Sequence, residues 1–172
     1  MAGPEELTAL ARLREAAEAL VTGVGPAVER WCVREVDRIV AAWGGLAGDR
    51  RAEVLREAAG AGRAAGGRVA GELAALLAAD PDDQRATPLQ VVRTAVREPT
   101  GLLAAAGLPD VVRDPFEERS WPEDRYGLSP RTLRDVDEDL AAVHFAWGVA
   151  KAQVIRARRG GRPEAGGSPE PR

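Results

Sequence analysis

His144 and Lys151 are the only histidine and the only lysine in the chain, and their seven-residue separation puts them on one side of any helix holding both. Gly148 falls close to the line between them. An imidazole and an ammonium flanking a residue with no side chain could form a small pocket that is polar on two sides, a candidate ligand site. A buried cation needs an anionic partner, and the acids between Asp110 and Asp124 are the obvious supply. The segment carrying them is therefore expected to fold across this edge of the helix. The plainer alternative is that His144 is a hydrogen-bonded structural residue and that Lys151 reaches water along its methylenes.

Catalysis and metal binding ask for more than these two groups. Nucleophilic chemistry at His144 would need a hydroxyl or thiol and an acid brought to it by folding, and Ser120, Ser129 and Asp137 are only formally available. A zinc site cannot be built from one Cys and one His without several carboxylates, and the Glu-x-x-His spacing of di-iron bundles is missing, because Ala141 stands three before His144. Neither metal nor cofactor is expected, and no acid and base roles can be assigned. The stretch from Gly60 to Ala65 matches G-x-G-x-x-G/A literally, but it follows a helical pattern and not a strand, so no dinucleotide site is read there.

A second set of residues suits recognition. Phe116, Trp121 and Tyr126 are three of the seven aromatic residues, and Arg119 and Arg125 lie among them. Binding energy concentrates on Trp, Tyr and Arg anchors, so Phe116, Arg119, Trp121, Arg125 and Tyr126 are the candidate partner-binding residues. The alternative is that the rings anchor a wrapping segment onto the core.

A third set invites a nucleic-acid reading. Leu55 to Val69 resembles the helix-turn-helix of bacterial repressors, with a small-residue turn at Gly60 and a second helix carrying Arg63 and Arg68 toward a groove. That resemblance implies DNA binding. It departs from the family at Arg56, where a small apolar residue packs between the helices, and at Gly66, where a β-branched residue holds the recognition helix. The alternative is a close-packed Ala/Gly helix surface. The formal charge of −3 does not favour nucleic acid as the main partner. Charge is nonetheless uneven: ten acids and five bases between 110 and 140 give −5, and six bases and two acids from 141 onward give +4. The Arg156–Arg162 cluster fits solvation of a helix end and its dipole.

The elements that must position these residues follow from periodicity. With 172 residues, 45% hydrophobic and 30% charged, the chain reads as one globular domain. No run approaches the roughly 18 apolar residues of a membrane span, and no signal-peptide pattern opens the chain, so a cytoplasmic protein is expected. Cys32 has no disulfide partner and reads as a small hydrophobe. Of 24 basic residues 23 are Arg, which with abundant Ala and Gly suggests a high-GC bacterial genome.

Steps of three and four predict a helix over about 4–22, then, after Gly23, Gly25 and Pro26, a second one from Val28 to Trp43. Residues 48–79 are helical again but hold Gly60, Gly62, Gly66, Gly67 and Gly71 in their interior, so two helices joined near Gly60–Gly62 are expected. Thr87-Pro88-Leu89-Gln90 is a capping box, with Pro99 expected to kink or divide the helix that begins there. Two short starts are read at 114–117 and 120–123, and Ser129-Pro130 caps a final long helix, either continuous or broken near Asp137. Residues 140–155 look apolar nearly all round, and this helix is expected to be the central core.

The fold class expected is all-α, a single-domain bundle of about six or seven helices, with a Pro/aromatic wrapping segment over 108–129. Residues 1–159 form the helical domain, and 160–172, rich in Gly and Pro, read as a disordered tail. The function expected is a protein-interaction or regulatory module, binding a protein partner or a copy of itself. A polar ligand pocket at His144, Gly148 and Lys151 is the alternative.

Overall fold

The computed structural model describes residues 3–111 and 124–160, and every regular element among them is helical. Helix α1 runs unbroken from Pro4 to Trp43. Proline at its first position and Glu5 and Glu6 in its first turn suit the unpaired amides and positive end of a helix. Gly44, at φ 68°, turns the chain left-handed and donates its N–H to the Val40 carbonyl, a stop that a Cβ would disfavour.

The expected break at 23–26 does not occur. Pro26 stays inside α1 because Val24, Ala27, Val28, Trp31 and Cys32 are all buried on one face there. Interrupting the helix would turn part of that face into water. Tertiary burial outweighs the cost of a missing N–H.

Helix α2, Gly48–Ala78, is likewise a single element, against the expectation of two. Its glycines divide by position. A Cβ on Gly62 would lie 2.9 Å from the Glu29 Cα, and one on Gly66 would lie 2.5 Å from the Gly25 carbonyl oxygen. These two residues let α1 and α2 approach backbone to backbone. Gly60, Gly67 and Gly71 have open space at the same point.

The Thr87–Gln90 capping box forms as the sequence indicates, with both reciprocal bonds present, and opens α3, Pro88–Arg93. A 3₁₀ turn at Thr94–Val96 separates α3 from α4, Arg97–Ala105. The division thus precedes Pro99, which sits in the first turn of α4, where its missing N–H costs no intrahelical bond.

After residue 124 the chain enters α5, Leu133–Val136, and α6, Glu138–Gly160. Thr132, not Ser129, is the N-cap of α5, and its amide donates to Asp135 Oδ2 at 2.8 Å. Asp137 is extended, which makes the break expected near it, and its Oδ1 accepts the Leu140 N–H at 3.0 Å to cap α6.

The middle of the bundle is α1, which packs along both α2 and α6. This corrects the expectation that residues 140–155 thread the core. Helix α6 buries only Leu140, Trp147, Ala150 and Val154, while Phe145 and Val149 are 74% and 43% exposed. Arg30 and Arg34 of α1 hold the α5–α6 junction: Arg30 reaches Asp137 Oδ2 at 2.8 Å, and Arg34 donates to the Asp135 carbonyl at 2.7 Å. At the other end Arg158 binds Glu6, Asp80 and Asp82 at once.

The helix starts expected at 114–117 and 120–123, and the tail at 161–172, lie outside the described residues.

Candidate functional site

The seven-residue spacing does bring His144 and Lys151 to one neighbourhood, and what lies between them is Trp147. The His144 imidazole stacks on the indole, with ring centroids 5.8 Å apart and 22° between planes. The Lys151 ammonium sits 5.2 Å from the same ring centroid, within the range of a cation–π contact. Its Nζ donates to Gln84 Oε1, in the connection between α2 and α3, at 2.8 Å.

Three observations bear on the pocket reading. The hydrogen-bond partner of Lys151 among the described residues is a neutral amide, Gln84, and the two described acids of the expected set, Asp110 and Asp124, are engaged elsewhere. Asp110 pairs with Arg125, and Asp124 is buried with its carboxylate accepting the Leu128 and Ser129 amides at 2.6 and 2.7 Å. His144 has no hydrogen-bond partner among the described residues, and partial burial pushes its pKa below the usual 6.5, so the ring is neutral near pH 7. Gly148 is exposed, with nothing within 4 Å of where its Cβ would be, so it walls no cavity.

Among the described residues the groups named for nucleophilic chemistry do not come together around His144. Asp137 is committed to Arg30 and the Leu140 amide, contacts that hold its carboxyl below the ordinary carboxylate range. The Ser129 hydroxyl is buried with no hydrogen-bond partner among the described residues, and Ser120 lies outside them. Among the described residues no group of three or more His, Cys, Asp or Glu side chains stands together as a metal site would require. Burial raises the Cys32 thiol to about 12, which leaves it protonated and unreactive in the folded state.

Of the five candidate partner-binding residues, Phe116, Arg119 and Trp121 lie outside the described residues. Tyr126 points inward, 3% exposed, and its hydroxyl donates to the Leu108 carbonyl at 2.9 Å. Arg125 is exposed and paired with Asp110, and its carbonyl accepts the Val111 amide at 3.1 Å. These bonds clamp the stems 108–111 and 124–126 side by side. Tyr126 serves that clamp and the core.

The helix-turn-helix resemblance has no turn to rest on, since 55–69 lies within unbroken α2. Its two reading arginines both pair within the chain, Arg63 in an exposed pair and Arg68 in a partly buried one. Arg63 pairs with Glu29 of α1 at 2.9 Å, and Arg68 grips both oxygens of Glu98, together with Thr94 and Glu72. Gly66 is small because α1 lies against it.

Two surface features were not singled out in sequence. A hollow of about 590 Å³ lies between α1 and the end of α2, with Leu10, Ala17, Val21 and Leu77 in its wall and Arg158 at its edge. The other is the outward face of α6, where Ala142, Phe145, Ala146, Val149 and Ala152 are all exposed. Its signal was legible, because Phe145 and Val149 project opposite the stripe of Leu140, Trp147 and Val154. Reading that all-round apolarity as central burial hid it.

No helix among the described residues is long and apolar enough to cross a membrane. In comparisons with known protein families, curated proteins and solved structures, nothing matches this chain.

Proposed function

We propose that this chain is a helical protein-interaction module that docks through the outward face of α6. One observation carries this reading: a phenylalanine 74% exposed and a valine 43% exposed stand one helical turn apart on a long helix, flanked on that face by Ala142 and Ala152 before the charged residues Glu138, Arg156 and Arg159 at its ends. Exposed apolar side chains grouped on one surface mark interaction sites, and aromatic anchors supply much of the binding energy. Apolar side chains one turn apart along one face of a long helix are the pattern by which a helix docks against another helix or a groove. Chemistry around His144 has less support, since the ring is stacked, neutral and without an acid.

Cross-linking at natural abundance, in the cells that make the protein, tests the reading. Wild type should give a discrete adduct of higher mass, and Phe145→Ser/Val149→Ser should lose it while unfolding at the same temperature, because both side chains face water. Adducts that persist unchanged in the double variant would overturn docking by this face.

A further inference from the structure

Resting on that docking reading, we infer that the partner is a second copy of this chain, joined by antiparallel pairing of the two α6 helices about a two-fold axis at Val149. Along the outward face the exposed residues Glu138, Ala142, Phe145, Val149, Ala152, Arg156 and Arg159 are separated by four, three, four, three, four and three positions. That is the 3.5-residue repeat of a helix–helix seam, held over the length of α6. The opposite face carries Leu140, Trp147 and Val154 into the bundle, so the seam is a separate surface from the one that builds the fold.

The order of residue types along the seam selects both the occupant and its direction. Reversed and laid on itself, the series places Glu138 against Arg159, Ala142 against Arg156, Phe145 against Ala152 and Val149 against Val149. Opposite charges meet at both ends, and the one large ring meets a small residue twice. None of Glu138, Arg156 and Arg159 has an ion-pair partner among the described residues, so each is available for one across the interface.

A parallel pair gives the opposite result. It would stack Glu138 on Glu138, Arg156 on Arg156, Arg159 on Arg159 and ring on ring, with like charges opposed at three levels. Beside the first half of the seam, Ala141, Ala146 and Gly148 carry at most a methyl group, whereas Gln153 and Ile155 flank its second half. A self-complementary patch of this kind is what an isologous two-fold interface requires. One helix face on each copy is a small contact, so the association is expected to be weak and dependent on concentration.

Cysteine placement and charge exchange test the inference on the full chain. Sedimentation at tens of micromolar should show wild type as a dimer in exchange with monomer. Val149→Cys lies on the axis and should oxidise to a disulfide-linked dimer in native buffer. Ala142→Cys faces Arg156 of the other copy and should stay unlinked under the same conditions, and buried Cys32 contributes no background. Glu138→Arg should weaken the dimer at least several-fold, and Glu138→Arg/Arg159→Glu should restore it. All four positions are exposed, so circular dichroism and thermal unfolding of each variant should match wild type. A wild-type chain that remains monomeric at these concentrations, or an Ala142→Cys variant that links as readily as Val149→Cys, would overturn the inference. A monomer whose Phe145-dependent adduct has the mass of a different protein would leave docking by α6 standing and remove self-pairing alone.

Discussion

Two glycines five positions apart in the same helix, Gly66 and Gly71, have opposite expected behaviour, and the difference is what stands opposite each. A methyl group on Gly66 would lie 2.5 Å from the Gly25 carbonyl oxygen, an atom of the α1 backbone that cannot step aside. Gly66→Ala should therefore destabilise by roughly 1 to 3 kcal/mol, the cost of overpacking a tight contact. Gly67→Ala and Gly71→Ala meet nothing within 4 Å and should each stabilise by about 0.5 to 1 kcal/mol through reduced freedom of the unfolded chain. Urea unfolding of the three variants checks the sign in each case. His144 gives a pH dependence of the same local origin. Desolvation lowers its folded pKa below 6.5, so the unfolded chain takes up the proton first. The stabilising contribution is complete above about pH 7 and is lost as pH falls through the folded value. The urea midpoint should drop as pH falls below about 6.5, and His144→Gln should flatten that region. The carboxylates held down by arginine, Asp80 and Asp137, act only at lower pH, below the ordinary carboxylate value.

At the scale of elements, local signals were reliable wherever no partner contradicts them. The Thr87–Gln90 capping box is a short-range bond pattern and reads correctly from four residues. Helix breaks at Pro26 and Gly60 are propensity arguments, and long-range packing overrides them, since the α1–α2 contact buries Val24, Val28, Ala58 and Ala65 completely or nearly so. The position of Gly62 and Gly66 against Glu29 and Gly25 is the reason for the glycines, and no spacing rule within α2 identifies which residues α1 will approach. The neighbourhood of His144 and Lys151 was legible from helical repeat alone. Gln84 was not, because 67 residues separate it from Lys151 and only the finished fold joins them. Arg68 gives the prediction at this scale. It ties α2 to the 3₁₀ turn and α4 through both oxygens of Glu98 and both the hydroxyl and carbonyl of Thr94. A lysine keeps the charge but cannot form that fork. Arg68→Lys should lower stability by about 1 kcal/mol in chemical denaturation, the lower end for bonds to charged groups because the site is partly open to solvent.

For the molecule as a whole, the all-helical class followed from periodicity, whereas the identity of the middle helix did not. Residues 140–155 contain many Ala, Val and aromatic side chains on all sides, and apolarity by itself cannot distinguish a helix surrounded by its own chain from one that is half covered. The distinction lies in α1, whose two sides are both engaged. The arginine contacts that fasten α6 have a further implication for how the protein is made. Arg30 to Asp137 spans 107 positions, and Arg158 to Glu6 spans 152. On the ribosome, α1 and α2 can pair while α6 is still unsynthesised. The side of α1 awaiting that helix then stays bare until residues 138–160 have emerged, an interval in which a nascent chain is most open to chaperones and to sticking to its neighbours.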